Sequence, residues 1–363
     1  MHRDNRLGDS ALALALLLAL PAIWFVLQEQ EDFGGFAMGP ETTSVFAQAE
    51  GRPVHGDNGP SIAAAYDGVA RSESPMVLWL GNSQLHGVNQ RVGDETCAPQ
   101  LLHDQLTPQR RLLTASPPNG SPIEHEVIFD YVRKQVRVEE LVIAVCFDDL
   151  RNEGVRTDLL PLAAGPSSLA TTVPVAGATS QESNHVEDSL QEATEQWFNR
   201  VLSTYSFLWR QRKQARGDLF VALYRVRNSL LGIDAQTERR MLLPHYHRNL
   251  QAVARMLRAA HEAGTRAFVY IVPLRGDVKP PYVPTEYRRF EEDLAAIVRA
   301  SAAEYRDLAD LVPGMYWGMK DATGLDNKAE LDFMHFQFPG HVLLAETIGE
   351  QISGQRSAAA SAQ

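Results

Sequence analysis

Residues 76–84 read Met-Val-Leu-Trp-Leu-Gly-Asn-Ser-Gln, and this stretch decides the fold that the sequence predicts. Its first five residues form a short apolar run, which is typical of a strand buried on both faces of a parallel sheet. A serine just past the carboxyl end of such a strand lies in the crevice where open α/β sheets bind ligands. Ser83 is therefore a candidate nucleophile, and the alternative is a serine that only caps the next helix.

A second pattern, near the end of the chain, provides partners for this serine. Asp332 and His335 are three residues apart, a spacing that places two side chains on one face of a helical turn. The carboxylate can then accept a hydrogen bond from the imidazole and fix its tautomer, which leaves the other ring nitrogen to take a serine proton. The two patterns predict a triad in which Ser83 is the nucleophile, His335 the general base and Asp332 the orienting group.

Together these motifs resemble the SGNH (GDSL-like) hydrolase and acyltransferase superfamily, which has its serine after the first strand and Asp-x-x-His before the last helix. The chain is most similar to the membrane-anchored branch that acylates cell-surface polymers, such as the D-alanine transferases of lipoteichoic acid synthesis and relatives that O-acetylate polysaccharides. The resemblance covers residues 75–352. It implies a flavodoxin-like, three-layer α/β/α sandwich with a parallel sheet of strand order 2-1-3-4-5.

The apolar runs and helical periods of the chain are consistent with that architecture. Strands alternate with amphipathic helices, which predicts right-handed crossovers and a parallel sheet. The expected strands are 76–80, 111–116, 141–147, 266–272 and 305–312.

The resemblance also indicates oxyanion donors. Gly120 matches the glycine of the family's second motif, whose backbone N–H faces the oxyanion, and the side chain of the neighbouring Asn119 can donate as well. The backbone N–H of Ser83, at the start of the predicted helix, is a further donor. A Pro-Pro-Asn-Gly turn without chemistry is the alternative at this position.

The third strand departs from the family pattern. The family often has Gly-x-Asn-Asp here, whereas this chain has Asp148 in place of the asparagine. An ionised aspartate accepts hydrogen bonds and cannot donate them. Either Asn152 or Arg151 replaces the missing donor, or the oxyanion hole has only the backbone donors of Ser83 and Gly120.

Four side chains at strand ends are expected to contact substrate. They are Gln84, Asp148, Arg151 and Arg275. The alternatives are a structural ion-pair network that contains Asp148, Asp149 and Arg151, and a solvated loop around Arg275.

Composition narrows the range of partners. The formal net charge is −11, from 34 basic and 45 acidic residues, which argues against a nucleic-acid partner because such proteins need a basic face. The two cysteines, Cys97 and Cys146, have no zinc-type spacing with histidines, and a disulfide between them is unsupported. We expect no metal and no cofactor.

The N-terminal region predicts a membrane anchor. The apolar run of residues 11–27 would span about 26 Å as a helix, enough for a thin bilayer core. Arg3 and Arg6 precede this run and acidic residues follow it, which places the N-terminus in the cytoplasm and the rest in the periplasm. A cleaved signal with its site near residues 47–49 is the alternative.

The sequence suggests four segments. Residues 1–30 are the inner-membrane anchor, residues 31–74 a stalk, and residues 75–352 the catalytic domain with a helical insertion at 153–246. Residues 353–363 are expected to be a disordered tail. The amphipathic insertion either covers the crevice, meets the membrane or a membrane partner, or packs against the core.

Three functions fit these features. The first is an outward-facing serine acyltransferase that moves an acyl group, expected to be acetyl, from an integral membrane acyltransferase partner to an exported polysaccharide or envelope polymer. The second is an esterase or deacetylase with the same triad, because water and sugar hydroxyls attack the same acyl-serine. The third is a non-catalytic scaffold of a polysaccharide-export complex.

Overall fold

A six-stranded parallel sheet forms the centre of the computed structural model, which describes residues 45–70, 73–88, 95–164, 237–320 and 330–361. Its strands are β3 (His55–Gly56), β4 (Met76–Leu80), β5 (Arg111–Ala115), β6 (Val138–Val145), β7 (Arg266–Ile271) and β8 (Glu304–Asp307). They lie in the order β3-β5-β4-β6-β7-β8. Two antiparallel pairs stand apart from it, β1 (Gln48–Ala49) with β2 (Arg52–Pro53) and β9 (Trp317–Lys320) with β10 (Glu330–Phe336).

The sheet confirms the expected strand order. The five predicted strands correspond to β4 to β8, and their arrangement is 2-1-3-4-5 with β3 added at the edge beside β5. The sequence did not indicate β3, because two residues are too few to show a strand period. All of β4 is buried, as a continuous apolar run in a parallel sheet requires.

Helices cover both faces of the sheet and complete three layers. In chain order they are α1 (Gly59–Ala70), α2 (Ala98–Leu106), α3 (Pro122–Arg133), α4 (Leu160–Ala164), α5 (Leu243–Glu262), α6 (Pro284–Ala300) and α7 (Phe338–Ser361). Alternate residues of β4 separate the two cores: Leu78 and Leu80 pack with α1, α3, α5 and α6 on one face, while Val77 and Trp79 pack with α2 and α7 on the other.

The described part of the predicted stalk belongs to the folded core, so that prediction is wrong for residues 45–70. Ala47, Val54, Ile62 and Ala65 are fully buried. Helix α1 contributes Ile62 and Ala65 to the cluster on the α3 and α5 face, the segment before α1 contributes Ala47 and Val54, and β3 pairs with β5. The Gly- and Ala-rich composition suggested a linker, but Gly59 allows the start of α1 to pack closely against the backbone at Asp158. A Cβ on Gly59 would lie 1.8 Å from the carbonyl oxygen of Asp158.

Other segment predictions have mixed outcomes. Helix α7 continues to Ser361, so residues 353–361 are not a disordered tail. Helix α4 and the start of α5 belong to the predicted insertion, and most of the insertion, residues 165–236, lies outside the described residues. The predicted anchor also lies outside them. No helix in the described part of the chain is long and apolar enough to cross a membrane.

The role of α1 can be tested with Ile62→Ala. Ile62 is fully buried in the core, so its truncation should lower the free energy of unfolding by about 2–4 kcal/mol through lost burial and an unfilled cavity. Urea denaturation of the full-length protein measures this change. Asp67→Ala, at an exposed position of the same helix, should change it by less than about 0.5 kcal/mol. Equal midpoints for wild type and Ile62→Ala would mean that α1 does not pack as described.

Candidate active site

Ser83, His335 and Asp332, which come from two segments far apart in the sequence, are joined by consecutive hydrogen bonds. The hydroxyl of Ser83 lies 2.9 Å from Nε2 of His335, and Nδ1 of His335 lies 2.9 Å from a carboxylate oxygen of Asp332. Asp332 is buried, while Ser83 is half-buried just beyond the carboxyl end of β4. With the Nδ1 proton donated to Asp332, Nε2 is left to accept the proton of the serine.

The serine stands at the start of a 3-10 turn, Ser83–Leu85, directly after β4. Asn82 caps this turn: its Oδ1 accepts the N–H of Gln84 at 3.0 Å, and its Nδ2 donates to buried Asp149 at 2.8 Å. A Cβ on Gly81 would lie 2.5 Å from Cδ1 of Leu85, so a larger residue there would require that side chain to move. Among the described residues, the backbone N–H of Ser83 has no hydrogen-bond partner, so it remains available to an oxyanion.

Asp332 and His335 meet through an irregular strand and not through a helical turn. Both lie in β10, whose pairing with β9 shifts register between Leu331 and Phe336. The second oxygen of Asp332 accepts the backbone N–H groups of Met334 at 2.9 Å and His335 at 3.0 Å. The helical expectation for this motif is therefore wrong, although the contact that it predicted is present.

Asp332 is ionised despite its burial. Burial alone would raise the pKa of its carboxyl group, but the positive charge that His335 can carry and three hydrogen bonds outweigh burial and lower the pKa to about 2. A permanent negative charge at this position stabilises the imidazolium that forms when His335 takes a proton.

The structure does not support Gly120 and Asn152 as oxyanion donors. The N–H of Gly120 donates to the carbonyl of Pro117 at 2.8 Å and closes a tight turn. The side-chain amide of Asn152 donates to the backbone carbonyl of Asn119 at 2.7 Å, and it thereby fastens that turn to the segment after β6. Asn119 is exposed and has a positive φ of 51°, and among the described residues its side-chain amide has no partner.

Gln84 and Arg275 are buried and hold the site together, which contradicts the prediction that they face substrate. The side-chain amide of Gln84 donates to the carbonyls of Pro273 at 2.8 Å and Met334 at 2.9 Å, so it ties the serine turn to the strand of His335. Arg275 forms a two-bond ion pair with Asp277, and its Nη1 donates to the carbonyl of Asp332 at 3.3 Å.

Asp148 belongs to an ion-pair network, the alternative that the sequence left open. It accepts from the guanidinium group of Arg239, from Arg151 at 3.5 Å and from the hydroxyl of Tyr282 at 3.1 Å. Arg151 also donates to the carbonyl of Arg240 at 2.8 Å. Contact of Asp148 and Arg151 with substrate stays a prediction.

A cluster of buried histidines beside the triad was not foreseen. The hydroxyl of Ser116, at the end of β5, lies 2.5 Å from Nε2 of His55 and 2.8 Å from Nε2 of His86. The backbone N–H of His86 donates to the carbonyl of Ser83 at 3.0 Å, so the cluster supports the nucleophile turn. His341, at the start of α7, accepts the N–H of Ala98 at 3.2 Å. A histidine three positions after the serine was the only signal of this cluster in the sequence.

His125 supports the turn from another side. Its Nε2 donates to the carbonyl of Gly81 at 2.9 Å, because a carbonyl oxygen can only accept. Burial lowers the pKa of His125 to about 4, so the ring is neutral at physiological pH. The same cause lowers the pKa of His86 to about 4, that of His341 to about 3 and that of His55 well below its usual value.

In the described part of the chain, no group of three or more His, Cys, Asp and Glu side chains is arranged to hold a metal ion. Cys97 and Cys146 are both buried and are not joined in a disulfide.

No family model matches the chain, and no curated protein is significantly similar to it. Several solved structures match most of the chain at low identity and with TM-scores below 0.5. An inhibitor-bound aryl esterase from M. smegmatis is 10% identical, with 77% of this chain and 99% of that chain covered and a TM-score of 0.37. A lipase/acylhydrolase from Enterococcus faecalis is 14% identical, with 78% and 96% covered and a TM-score of 0.35. An acetyl-xylooligosaccharide esterase from Geobacillus is 7% identical, with 76% and 92% covered and a TM-score of 0.34.

Acid should destabilise the fold because the buried histidines are neutral in the folded state. The unfolded chain takes up protons at His86, His125 and His341 below about pH 6.5, whereas the folded chain takes them up only near pH 3 to 4. Stability is therefore lost as pH falls through this window. Urea titrations should show a loss of about 1.4 kcal/mol per pH unit for each such histidine.

His125→Gln isolates one of these protons, since glutamine can still donate to the Gly81 carbonyl. Between about pH 6 and 4.5, the free energy of unfolding of this variant should fall with pH less steeply than that of wild type. The difference in slope should be about 1.4 kcal/mol per pH unit, the contribution of one proton. His261→Gln, at an exposed position near the end of α5, should keep the wild-type slope. A wild-type slope in His125→Gln would show that His125 takes up its proton in the folded state as readily as in the unfolded chain.

Proposed function

We propose that this protein is a serine acyltransferase of the SGNH type that works through a covalent acyl-serine. The observation that carries the proposal is the hydrogen-bonded line of Ser83, His335 and Asp332, with the serine half-buried at the carboxyl end of β4 and the aspartate ionised behind the histidine. This arrangement meets the geometric requirement for an activated serine, a nucleophile and a base within hydrogen-bond reach and a third group that orients the base.

The reaction follows from the positions of these atoms. Oγ of Ser83 attacks the carbonyl carbon of an ester while its proton moves to Nε2 of His335, and the new imidazolium is stabilised by Asp332. The tetrahedral intermediate collapses, the proton passes from His335 to the departing alkoxide, and an acyl-serine remains. A second hydroxyl, from a sugar or from water, then gives its proton to His335 and attacks the acyl group, which restores Ser83.

The oxyanion of the intermediate needs donors at the mouth of the crevice. The backbone N–H of Ser83 is available because it opens the 3-10 turn. The exposed amide of Asn119, held at the end of β5 by the bond from Asn152, is our candidate for the second donor. Backbone and amide donors of this kind each contribute about 10²–10³-fold to turnover in related chemistry.

The finer proposal is transfer of an acetyl group to an exported polysaccharide or envelope polymer by a membrane-anchored enzyme that faces the periplasm. It is supported by the apolar run of residues 11–27, with arginines before it and acidic residues after it, because an enzyme that only scavenges free esters has no need of a tether. An integral membrane acyltransferase would then provide the acyl group on the outer side.

Ester hydrolysis is the second candidate, because water that reaches the acyl-serine can attack it in place of a sugar hydroxyl. Product analysis separates the two. Incubation with an aryl acetate and an excess of a sugar polymer should give O-acetylated polymer if transfer dominates, and acetate alone if the protein is an esterase.

The triad can be tested with Ser83→Ala and Asp332→Asn. Loss of the nucleophile, or of the group that orients His335, should lower kcat for an aryl acetate by about 10³–10⁴-fold or more, and the double variant should lose little beyond Ser83→Ala because the residues act as a unit. Stopped-time assays of acetate release measure kcat. Ser83→Ala should unfold within about 1 kcal/mol of wild type.

A matched serine serves as the control. The hydroxyl of Ser301 donates to the carbonyl of Ile297 at the end of α6, on the edge of the sheet away from the crevice. Ser301→Ala should retain wild-type turnover, and a fluorophosphonate should label wild type and Ser301→Ala but not Ser83→Ala. Absence of label in wild type, together with normal polymer acylation by Ser83→Ala in cells, would leave the scaffold hypothesis in place of an enzyme.

A further inference from the structure

Two arginines share one carboxylate at the carboxyl end of β6. Asp148 accepts a hydrogen bond from Nη1 of Arg239 and another from Nη1 of Arg151, the latter at 3.5 Å. We call these three residues the Arg239–Asp148–Arg151 cluster. One carboxylate against two guanidinium groups leaves a formal charge of +1 at this point, in a chain whose net charge is −11.

Neighbouring acidic groups do not cancel this charge. The hydroxyl of Tyr282 donates to Asp148 at 3.1 Å, and burial together with the charge of Asp148 raises the pKa of Tyr282, so it remains neutral. Burial also raises the pKa of Asp149 well above its usual value and favours its neutral form. Glu153 forms an ion pair with Arg248 at 2.7 Å, so its negative charge is neutralised by Arg248 and not by the cluster.

The cluster borders both segments of the proposed triad. On one side, Asp148 is followed by Asp149, which accepts the side chain of Asn82 next to the nucleophile. On the other side, the guanidinium carbon of Arg239 lies 5.0 Å from the ring centre of Phe333, the residue that follows Asp332. Arg239 therefore contacts the strand that holds the histidine, and the cluster adjoins the turn that holds the serine through Asp149.

Arg239 also has N–H donors that are not used in its bond to Asp148. Its side chain is 32% exposed, and Nη1 bonds to Asp148, while among the described residues Nε and Nη2 have no partner. A guanidinium group presents five N–H donors in a rigid fork that matches a carboxylate. An arginine that is fixed at one nitrogen, lies over a ring and has two nitrogens without a partner among the described residues is suited to bind an anion.

We propose that Arg239, with the charge of Arg151 behind it, binds a carboxylate on the substrate, so that the site prefers esters of acidic sugars to esters of neutral ones. The inference rests on the proposed function and names its substrate class. The carboxylate belongs to the alcohol portion of the ester, because an acetyl group has no charge to offer. In a protein of negative net charge, a local positive group also draws an acidic polymer to this part of the surface and away from the rest.

A charged and a neutral ester of the same acetoxybenzoyl skeleton test the preference, and the comparison with Arg239→Gln cancels their different intrinsic reactivity. 4-Acetoxybenzoate has a carboxylate on the leaving group, and its methyl ester is the neutral match. Wild type should hydrolyse the carboxylate with a kcat/KM about tenfold higher than the methyl ester, the effect of one charge-assisted hydrogen bond. Arg239→Gln should bring the ratio of kcat/KM between the carboxylate and the methyl ester down by about tenfold, and Arg239→Lys should retain part of the wild-type ratio.

Arg255→Gln is the matched control, because it removes the same charge from an exposed ion pair with Glu126 on α5 and α3. It should keep the wild-type ratio between the two esters. A salt concentration of about 0.5 M should reduce the preference in wild type and leave Arg239→Gln unaffected. If Arg239→Gln lowers kcat/KM for both esters equally, Arg239 only positions the site and the inference is overturned while the acyl-serine chemistry stands.

Binding to the full-length Ser83→Ala protein makes the test independent of turnover. Calorimetry should show that Ser83→Ala binds 4-acetoxybenzoate about tenfold more tightly than Ser83→Ala/Arg239→Gln does, with no difference for the methyl ester. Equal affinity of the two proteins for the carboxylate overturns the inference whether or not any ester is turned over. Failure of wild type to cleave either ester, with the binding difference present, counts only against the proposed function.

Discussion

The hydrogen bond between Ser83 and His335 joins positions 252 residues apart, and the rest of the fold serves to keep those two atoms 2.9 Å from each other. A parallel sheet solves the problem in outline, since all of its strands end at one edge. Precision comes from buried polar side chains. Gln84 ties the serine turn to the strand of His335, and Arg275 donates to the carbonyl of Asp332.

Buried histidines also hold the serine turn in place through hydrogen bonds. His125 holds the carbonyl of Gly81, and His86 joins the carbonyl of Ser83 to Ser116 at the end of the neighbouring strand. Each ring can donate and accept at fixed angles, and each is neutral because burial disfavours its charged form. The turn is thus supported by directional bonds without a buried charge, which leaves Asp332 and His335 as the charged pair of the proposed reaction.

The Arg239–Asp148–Arg151 cluster stands where the family pattern that the chain resembles has an asparagine. An ionised aspartate cannot donate to an oxyanion, but here it holds two guanidinium groups beyond the carboxyl end of β6. Under our proposal, the positive charge of this cluster favours acidic substrates.

The sequence by itself determined five of the six strands of the sheet, β4 to β8, the serine at the end of β4 and the Asp-x-x-His partner, because apolar runs, strand ends and short spacings are local properties. It also misled where composition was the only guide: the Gly- and Ala-rich segment before β4 suggested a stalk, and Ile62 shows that it is core. Which polar groups near the serine are free was decided only by the tertiary structure. The N–H of Gly120 and the amide of Asn152 are both used by carbonyls, and Arg239 reaches Asp148 from 91 positions away. The partner of a hydrogen-bonding group depends on which distant segments pack beside it. A local sequence pattern therefore does not predict that partner.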